Sequence, residues 1–167
     1  MKKTAKKKAG DFPKDIPDER FTPPEIVREL HRIYRFDVDA FSHPRAFSAS
    51  IIGKFWTKKD NALVQDWRGL RVFAQPPYSD LPSCFAKAVE EWNRGCPLSV
   101  WLVPSWTDRQ WWAERVEPFR DVASSGRRVE VRFLPGRLTF ANPRSLIFAK
   151  KNQAKFGMAL IEYWGRT

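Results

Sequence analysis

The run Leu98-Ser99-Val100-Trp101-Leu102-Val103 is apolar at every position but one. A strand with one wet face alternates apolar and polar residues, so a nearly continuous run points to a strand covered on both faces. Weaker strand signals precede it: Phe36-Asp37-Val38-Asp39-Ala40 alternates, and Leu70-Arg71-Val72-Phe73-Ala74 forms a second short strand. Helical spacing lies between them. Thr22-Pro23-Pro24-Glu25 reads as a helix start, with Thr22 as N-cap and proline in the first turn, where no amide donor is needed. Ile26, Val27, Leu30, Ile33 and Tyr34 follow at helical spacing, up to a stop near Arg35. Pro82 to Asn93 reads as another helix, with Phe85, Ala88, Val89 and Trp92 as its stripe and Gly95 closing it. Helices interleaved with strands specify an α/β domain with a mostly parallel sheet.

The second half changes pattern. Val129, Val131 and Phe133 alternate with Glu130 and Arg132, and Pro135-Gly136 turns the chain into Arg137-Leu138-Thr139-Phe140, which reads as a hairpin. A polar, Lys-bearing loop then leads to a last strand over Met158–Tyr163, so the sheet is expected to carry an antiparallel C-terminal edge. Residues 41–60, broken by His43-Pro44 and Gly53, read as a loop with a turn of helix. Residues 1–20, Lys-rich and then Pro/Asp-rich, have no hydrophobic periodicity and read as a flexible arm ahead of one domain over 21–167.

Composition narrows the function. With 43% hydrophobic and 14% aromatic residues, 167 residues hold ample material for one packed core. No apolar run approaches the roughly 20 residues a bilayer span needs, and no apolar stretch follows the basic N-terminus as in a signal peptide. The chain therefore reads as soluble and cytoplasmic. Cys84 and Cys96 lack metal-site spacing, and His31 and His43 lie far from any Ser or Cys motif, which argues against a zinc site, a disulfide framework and a hydrolytic triad. The formal charge is +11, of which Lys2, Lys3, Lys6, Lys7 and Lys8 supply five, leaving the remainder at +6. An ordered domain that stays basic without its arm favours a polyanionic partner, and nucleic acid over membrane because no helix sets a basic face against a clean apolar one.

Ligands of open α/β sheets bind beyond the carboxyl ends of the strands. Three polar features are expected there: Asp37 and Asp39, Gln75-Pro76-Pro77-Tyr78, and Pro104-Ser105-Trp106-Thr107. The two prolines fix the backbone and remove amide donors, leaving carbonyls free to accept. Gln75 adds a side-chain acceptor and Tyr78 a flat face for a base. Side-chain and backbone carbonyls together can hold an exocyclic amine with its lone pair outward. On residues alone the tetrad has two readings: this one, and a proline turn ending a strand beside a packed Tyr.

From Phe21 to Tyr163 the chain resembles the phage-type DNA N-6-adenine methyltransferase (Dam) family. The resemblance rests on ordered pieces: Phe21-Thr22-Pro23-Pro24, Phe36–Ala40, Asp60-Asn61-Ala62-Leu63-Val64-Gln65-Asp66-Trp67, and Gln75-Pro76-Pro77-Tyr78-Ser79. Leu102-Val103-Pro104, Trp111-Trp112 and the segment Arg132–Phe140 complete it. The resemblance implies a compact Rossmann-like class I methyltransferase fold and S-adenosylmethionine-dependent methyl transfer to adenine in DNA, in a protein of phage or prophage origin. It places Asp37 and Asp39 in the cofactor-binding strand, Thr22 and Pro23 in a segment closing over the cofactor's methionine part, and Asp66 near adenine or cofactor. Gln75, Pro76, Pro77 and Tyr78 become the catalytic motif, gripping an adenine flipped out of duplex DNA. No metal is implied.

Trp106, Arg109 and Trp111 are candidates for DNA contact or for core. Arg144, Lys150 and Lys151 suit phosphates, or a solvated charged loop. The sequence departs from the family at position 75, where Gln replaces Asn or Asp and moves the acceptor by roughly 1.5 Å, one carbon–carbon bond. It departs again at Phe41, which follows Asp39-Ala40 where a small residue is usual, with no glycine-rich loop. That ring either narrows the cofactor pocket or points into the core. Two alternatives stay open: a non-catalytic nucleic-acid binder or decoy on the same fold, and the same enzyme with RNA or a free base as its acceptor.

Overall fold

The computed structural model describes residues 20–120 and 126–166, so the arm expected over 1–20 lies outside it except for Arg20. Helix α1 spans Pro24–Tyr34. Its N-cap is Pro23, whose carbonyl accepts from the Ile26 and Val27 amides, and no side chain caps it. Thr22 was expected in that role. The helix begins one residue later than expected, at the Pro23 cap, and the Thr22 hydroxyl donates to Gln75 instead.

Strand β1 (Val38–Asp39), helix α2 (Phe47–Ile52), strand β2 (Arg71–Ala74), helix α3 (Leu81–Arg94) and strand β3 (Leu98–Pro104) follow in order. Helix α4 (Gln110–Arg115) leads to strand β4 (Arg128–Phe133), β5 (Thr139–Ala141), β6 (Phe148–Gln153) and β7 (Met158–Trp164). The main sheet has the order β1-β2-β3-β7-β4. The first three pair in parallel, and β7 pairs antiparallel with both β3 and β4. Four of the five strands therefore share a direction. The antiparallel strand sits one place in from the edge, because β4 takes the edge.

Successive residues of a strand face opposite sides, and β7 shows what covers each side. Glu162 accepts a hydrogen bond from the Tyr34 hydroxyl of α1 at 2.8 Å. Its neighbour Tyr163 packs against Phe85 and Trp92 of α3. Helix α1, with α2 packed on it, thus covers one face, and α3 with α4 covers the other. At the centre of the α3 face Trp101, wholly buried, meets Phe85 at 4.9 Å, Trp67 at 5.7 Å and Phe41 at 5.9 Å between ring centroids. Phe41 therefore points into the core and leaves the cofactor strand clear.

The expected hairpin across Pro135-Gly136 does not form. Arg128 to Phe133 pair instead with Trp164 to Ala159, and Val129 is also bridged by Arg120. The turn, with Gly136 at φ 70°, carries the chain off the sheet, and β5 pairs with β6 in a separate two-stranded ribbon. Strand β6 falls in the stretch read as a loop. It has no buried face, so its residues carry no period for burial to impose. Cys84 and Cys96 are free, buried thiols, and no described helix is long and apolar enough to cross a membrane.

Trp101 is the residue on which the α3 layer closes. Truncation Trp101→Ala is expected to cost about 3–5 kcal/mol in urea denaturation. A loss below about 1 kcal/mol would show that the stacked aromatic layer is not the core.

Candidate active site

The parallel strands deliver their carboxyl ends to one edge, which therefore carries Asp39, Gln75 and Pro104-Ser105 side by side. Strand β7 runs the other way, so its start lies there too: Met158 stands opposite Pro104, and the Gly157 carbonyl accepts from the Ser105 amide at 3.0 Å. Strand β4 ends at the same edge, where the Leu134 amide reaches the Met158 carbonyl.

Along the tetrad, backbone acceptors are unequally used. The Pro77 carbonyl is taken by the Asp80 amide at 3.2 Å, whereas that of Pro76 accepts no turn or loop hydrogen bond among the described residues. Gln75 is half-buried, and its Oε1 accepts a short hydrogen bond from the Thr22 hydroxyl. The structure thus brings together two features 53 residues apart in sequence. Pro23 follows as the helix cap.

Tyr78 is only 3% exposed. Trp106 and Phe156 meet its ring edge-on at 6.2 and 5.8 Å, and its hydroxyl lies 3.9 Å from the Met158 sulfur. The Arg20 guanidinium lies over three rings, 5.1 Å from Tyr78, 5.5 Å from Phe140 and 5.8 Å from Phe156. The tetrad's aromatic ring is therefore one wall of an aromatic cage with a planar cation inside it.

Asp39 is 1% exposed at the end of β1. Burial pushes its pKa up to about 6, against the pull of hydrogen bonds from Ser48 of α2 and the Phe41 amide. Ser42 also approaches this carboxylate, yet its buried Oγ makes no well-formed hydrogen bond. An ionised carboxylate and an unsatisfied hydroxyl at a strand end form a set waiting for a donor-bearing ligand.

Other expected site residues stand elsewhere. Asp37 is exposed at the start of β1, not its end, and its carboxylate accepts from the Arg71 amide at 2.7 Å. Asp66 lies on the surface in a close pair with Arg68, whose hydrogen bonds hold its pKa down to about 2. Its neighbour Trp67 is tied through its amide to Glu91 in the last turn of α3, at the end of the sheet away from Gln75. Trp111 is core: it stacks on Phe85 at 4.5 Å and 22°. Trp106 does reach the site, with the exposed Arg109 guanidinium 5.4 Å from its ring. Arg144, Lys150 and Lys151 are exposed on the β5–β6 ribbon, without an acidic partner among the described residues. From Val131 to Ile161 the chain has six basic residues and no acidic one, and Arg132 among them pairs with Glu162.

Sequence reasoning missed Arg20, Phe140, Phe156, Ser42 and Ser48. The aromatic pair brackets the ribbon, and only the pairing of β5 with β6 brings its two members to one cage.

Comparison with known proteins bears on the family and the fold. The sequence matches the family described as DNA N-6-adenine-methyltransferase (Dam) over residues 10–163. No curated protein matches it. Among solved structures, a candidate RNA methyltransferase from Pyrococcus horikoshii superposes with a TM-score of 0.51 at 12% identity, over 97% of this chain and 94% of its own. An SAM-dependent O-methyltransferase from Thermotoga maritima gives 0.49 at 11%, over 89% of this chain and 68% of its own. The first shows a shared fold.

The buried carboxylate can be tested without any ligand. Asp39 has its pKa raised on folding, so between about pH 4 and 6 the native chain holds more protons than the unfolded one, and stability falls as pH rises. Above pH 6 the ionised group costs on the order of 2–3 kcal/mol, a cost Asp39→Asn does not carry. The variant is expected to gain on the wild type by that amount between pH 4 and pH 8 in denaturant titrations. A difference independent of pH would show that Asp39 titrates normally.

Proposed function

The chain belongs to the DNA N-6-adenine-methyltransferase (Dam) family, and from that premise we propose how its residues divide the transfer of a methyl group from S-adenosylmethionine to the exocyclic amine of adenine in DNA. The observation that carries the assignment is the pair of acceptors at the end of β2. Gln75 Oε1 and the Pro76 carbonyl are the two oxygens that can take the two amine hydrogens, leaving the nitrogen lone pair directed outward. Tyr78, with Phe140 and Phe156 around it, supplies faces on which an adenine flipped from the duplex stacks. Pro77 acts by stiffening the turn between acceptor and ring.

The end of β1 fits the cofactor. S-adenosylmethionine supplies an electrophilic methyl group on a cationic sulfur, and carries ammonium and hydroxyl donors at its ends. Asp39 accepts such a donor, the unsatisfied Ser42 hydroxyl gives a second contact, and Thr22 and Pro23 close the same edge. Asp37 and Asp66, held by Arg71 and Arg68 away from this edge, support the fold here. Catalysis then rests on holding amine and methyl in line and excluding water, with no covalent step on the protein.

Duplex DNA would lie across the rim formed by Trp106, Arg109 and the basic ribbon. Arg144, Lys150 and Lys151 contact phosphates, which fix register without reading sequence. One observation favours a second reading, a non-catalytic DNA binder: without ligand, the Gln75 acceptor is already satisfied by Thr22 and the cage is filled.

Transfer from labelled S-adenosylmethionine to adenine-containing DNA separates these readings, and DNA binding without transfer would leave only the second. Gln75→Ala is expected to lower kcat by about 100-fold, the scale for losing one preorganised polar contact in a transition state. Gln75→Asn, which draws the amide back from Thr22 by about 1.5 Å, is expected to raise turnover; a fall would show that the longer side chain is the fitted one. For the ribbon, Lys150→Ala with Lys151→Ala is expected to weaken DNA binding uniformly across sequences. The slope of log affinity against log salt should drop by about 2, and an unchanged slope would move the phosphate path elsewhere.

A further inference from the structure

We propose that Arg20-Phe21-Thr22 is a strap that holds the place of the target base, and that Arg20 and Thr22 set the terms on which a base enters. The proposal rests on the assignment of the base site to Gln75 and Tyr78.

Phe21 anchors the strap. It exchanges two backbone hydrogen bonds with Ala141 of β5, at 3.3 and 3.0 Å, and its buried ring packs with Ala46, Ala49 and Ala141 in a cluster apart from the main core. In an extended segment, residues on either side of an anchored one project together to the opposite face. Arg20 and Thr22 do so, and both reach the site. The Thr22 hydroxyl donates to Gln75 Oε1, the atom that the adenine amine must use. The Arg20 guanidinium lies among Tyr78, Phe140 and Phe156, where the ring of the base must lie. A hydroxyl thus stands for the amine, and a flat, weakly hydrated cation for the purine.

Entry of a base needs only side-chain movement: Arg20 leaves the cage and Thr22 turns its hydroxyl away, while Phe21 keeps the backbone in place. The exchange is selective. An amine replaces the Thr22 hydrogen bond to Gln75. A carbonyl at the same position of a base would require the Gln75 amide to turn and donate, and would still meet the Pro76 carbonyl acceptor against acceptor. Arg20 and Thr22 therefore set one threshold that every base must exceed, while the choice of amine over carbonyl lies with Gln75 and Pro76.

The experiment is calorimetric titration of deoxyadenosine into protein saturated with S-adenosylhomocysteine, which fills the cofactor site and leaves the base site to the probe. Emptying the cage with Arg20→Ala is expected to tighten deoxyadenosine binding by about 10-fold, the scale of one partly desolvated cation–π contact. Arg20→Lys, which keeps the charge and loses the flat fork, should tighten it by less. Deoxyinosine, with a carbonyl in place of the amine, should stay weak in both variants. Unchanged, weaker or undetectable deoxyadenosine binding by Arg20→Ala overturns the strap. If the wild type methylates DNA in that event, the base-site assignment stands without it. If Tyr78→Ala leaves deoxyadenosine binding unchanged and no methyl transfer occurs, the base site itself is misplaced and the strap falls with it.

Discussion

No residue of β3 reaches water. Seven consecutive buried residues demand a layer on each face and a strand on each side, so β3 has to be interior in both directions. The rest of the architecture answers that demand: α1 and α2 on one side, α3 and α4 on the other, β2 and β7 flanking. It also decides where chemistry can occur. A sheet covered on both faces offers ligands only its ends, and the end where β1, β2 and β3 stop carries the unsatisfied Ser42 hydroxyl and the exchangeable Thr22–Gln75 bond.

Polar groups inside such a sheet survive only by joining elements. Glu162 on β7 takes hydrogen bonds from Tyr34, Arg132 and Trp164, so one buried carboxylate ties α1 and the edge strand β4 to the centre. Glu91 does the same on the other face: it pairs with buried Lys87 at 2.6 Å and accepts from the Trp67 amide at 3.0 Å. A buried ion pair contributes little net stability, but losing one partner strands a charge. These carboxylates fix how the layers are joined. Asp39 differs from both, since it has no cationic partner, and its raised pKa is the mark of that difference.

What was legible in the sequence follows from burial. Strands β2, β3 and β7 and helix α3 lie within about a residue of their expected limits, because burial marks each one, as an apolar run in the strands and as a stripe in the helix. Strand β6 lacks one and was read as a loop; β4 was read correctly as a strand but given the wrong partner, since pairing depends on β7, some 25 residues later. The tetrad's position at a strand end was readable. Which aspartate shares that end was not: Asp37 and Asp39 lie on one strand face in any alternating reading, and only the shortness of β1 sends one to each end. Tryptophan was ambiguous in the same way, with Trp106 at the site and Trp111 in the core five residues apart. Arg20, one basic residue bordering a basic arm, carried no signal until β5 stood beside it.

The departure at position 75 and the strap belong to one arrangement. An asparagine there holds its acceptor about one carbon–carbon bond closer to its own backbone, roughly 1.5 Å short of the place that Gln75 reaches. Gln75 spans that gap and meets Thr22, the residue beside the anchored Phe21. The longer side chain therefore links the end of β2 to the segment that enters α1, and a feature that reads in sequence as a weakened catalytic motif becomes the latch of a closed site. Tyr78, which must present a face to a base, lies under Arg20 and packs into the core beside Trp106, Phe156 and Met158. A site closed by a hydroxyl and a guanidinium opens at the expense of one hydrogen bond and one stacked cation. Both are exchanged for equivalents when an adenine enters, and the closed state keeps water out while setting an affinity threshold that every base must exceed.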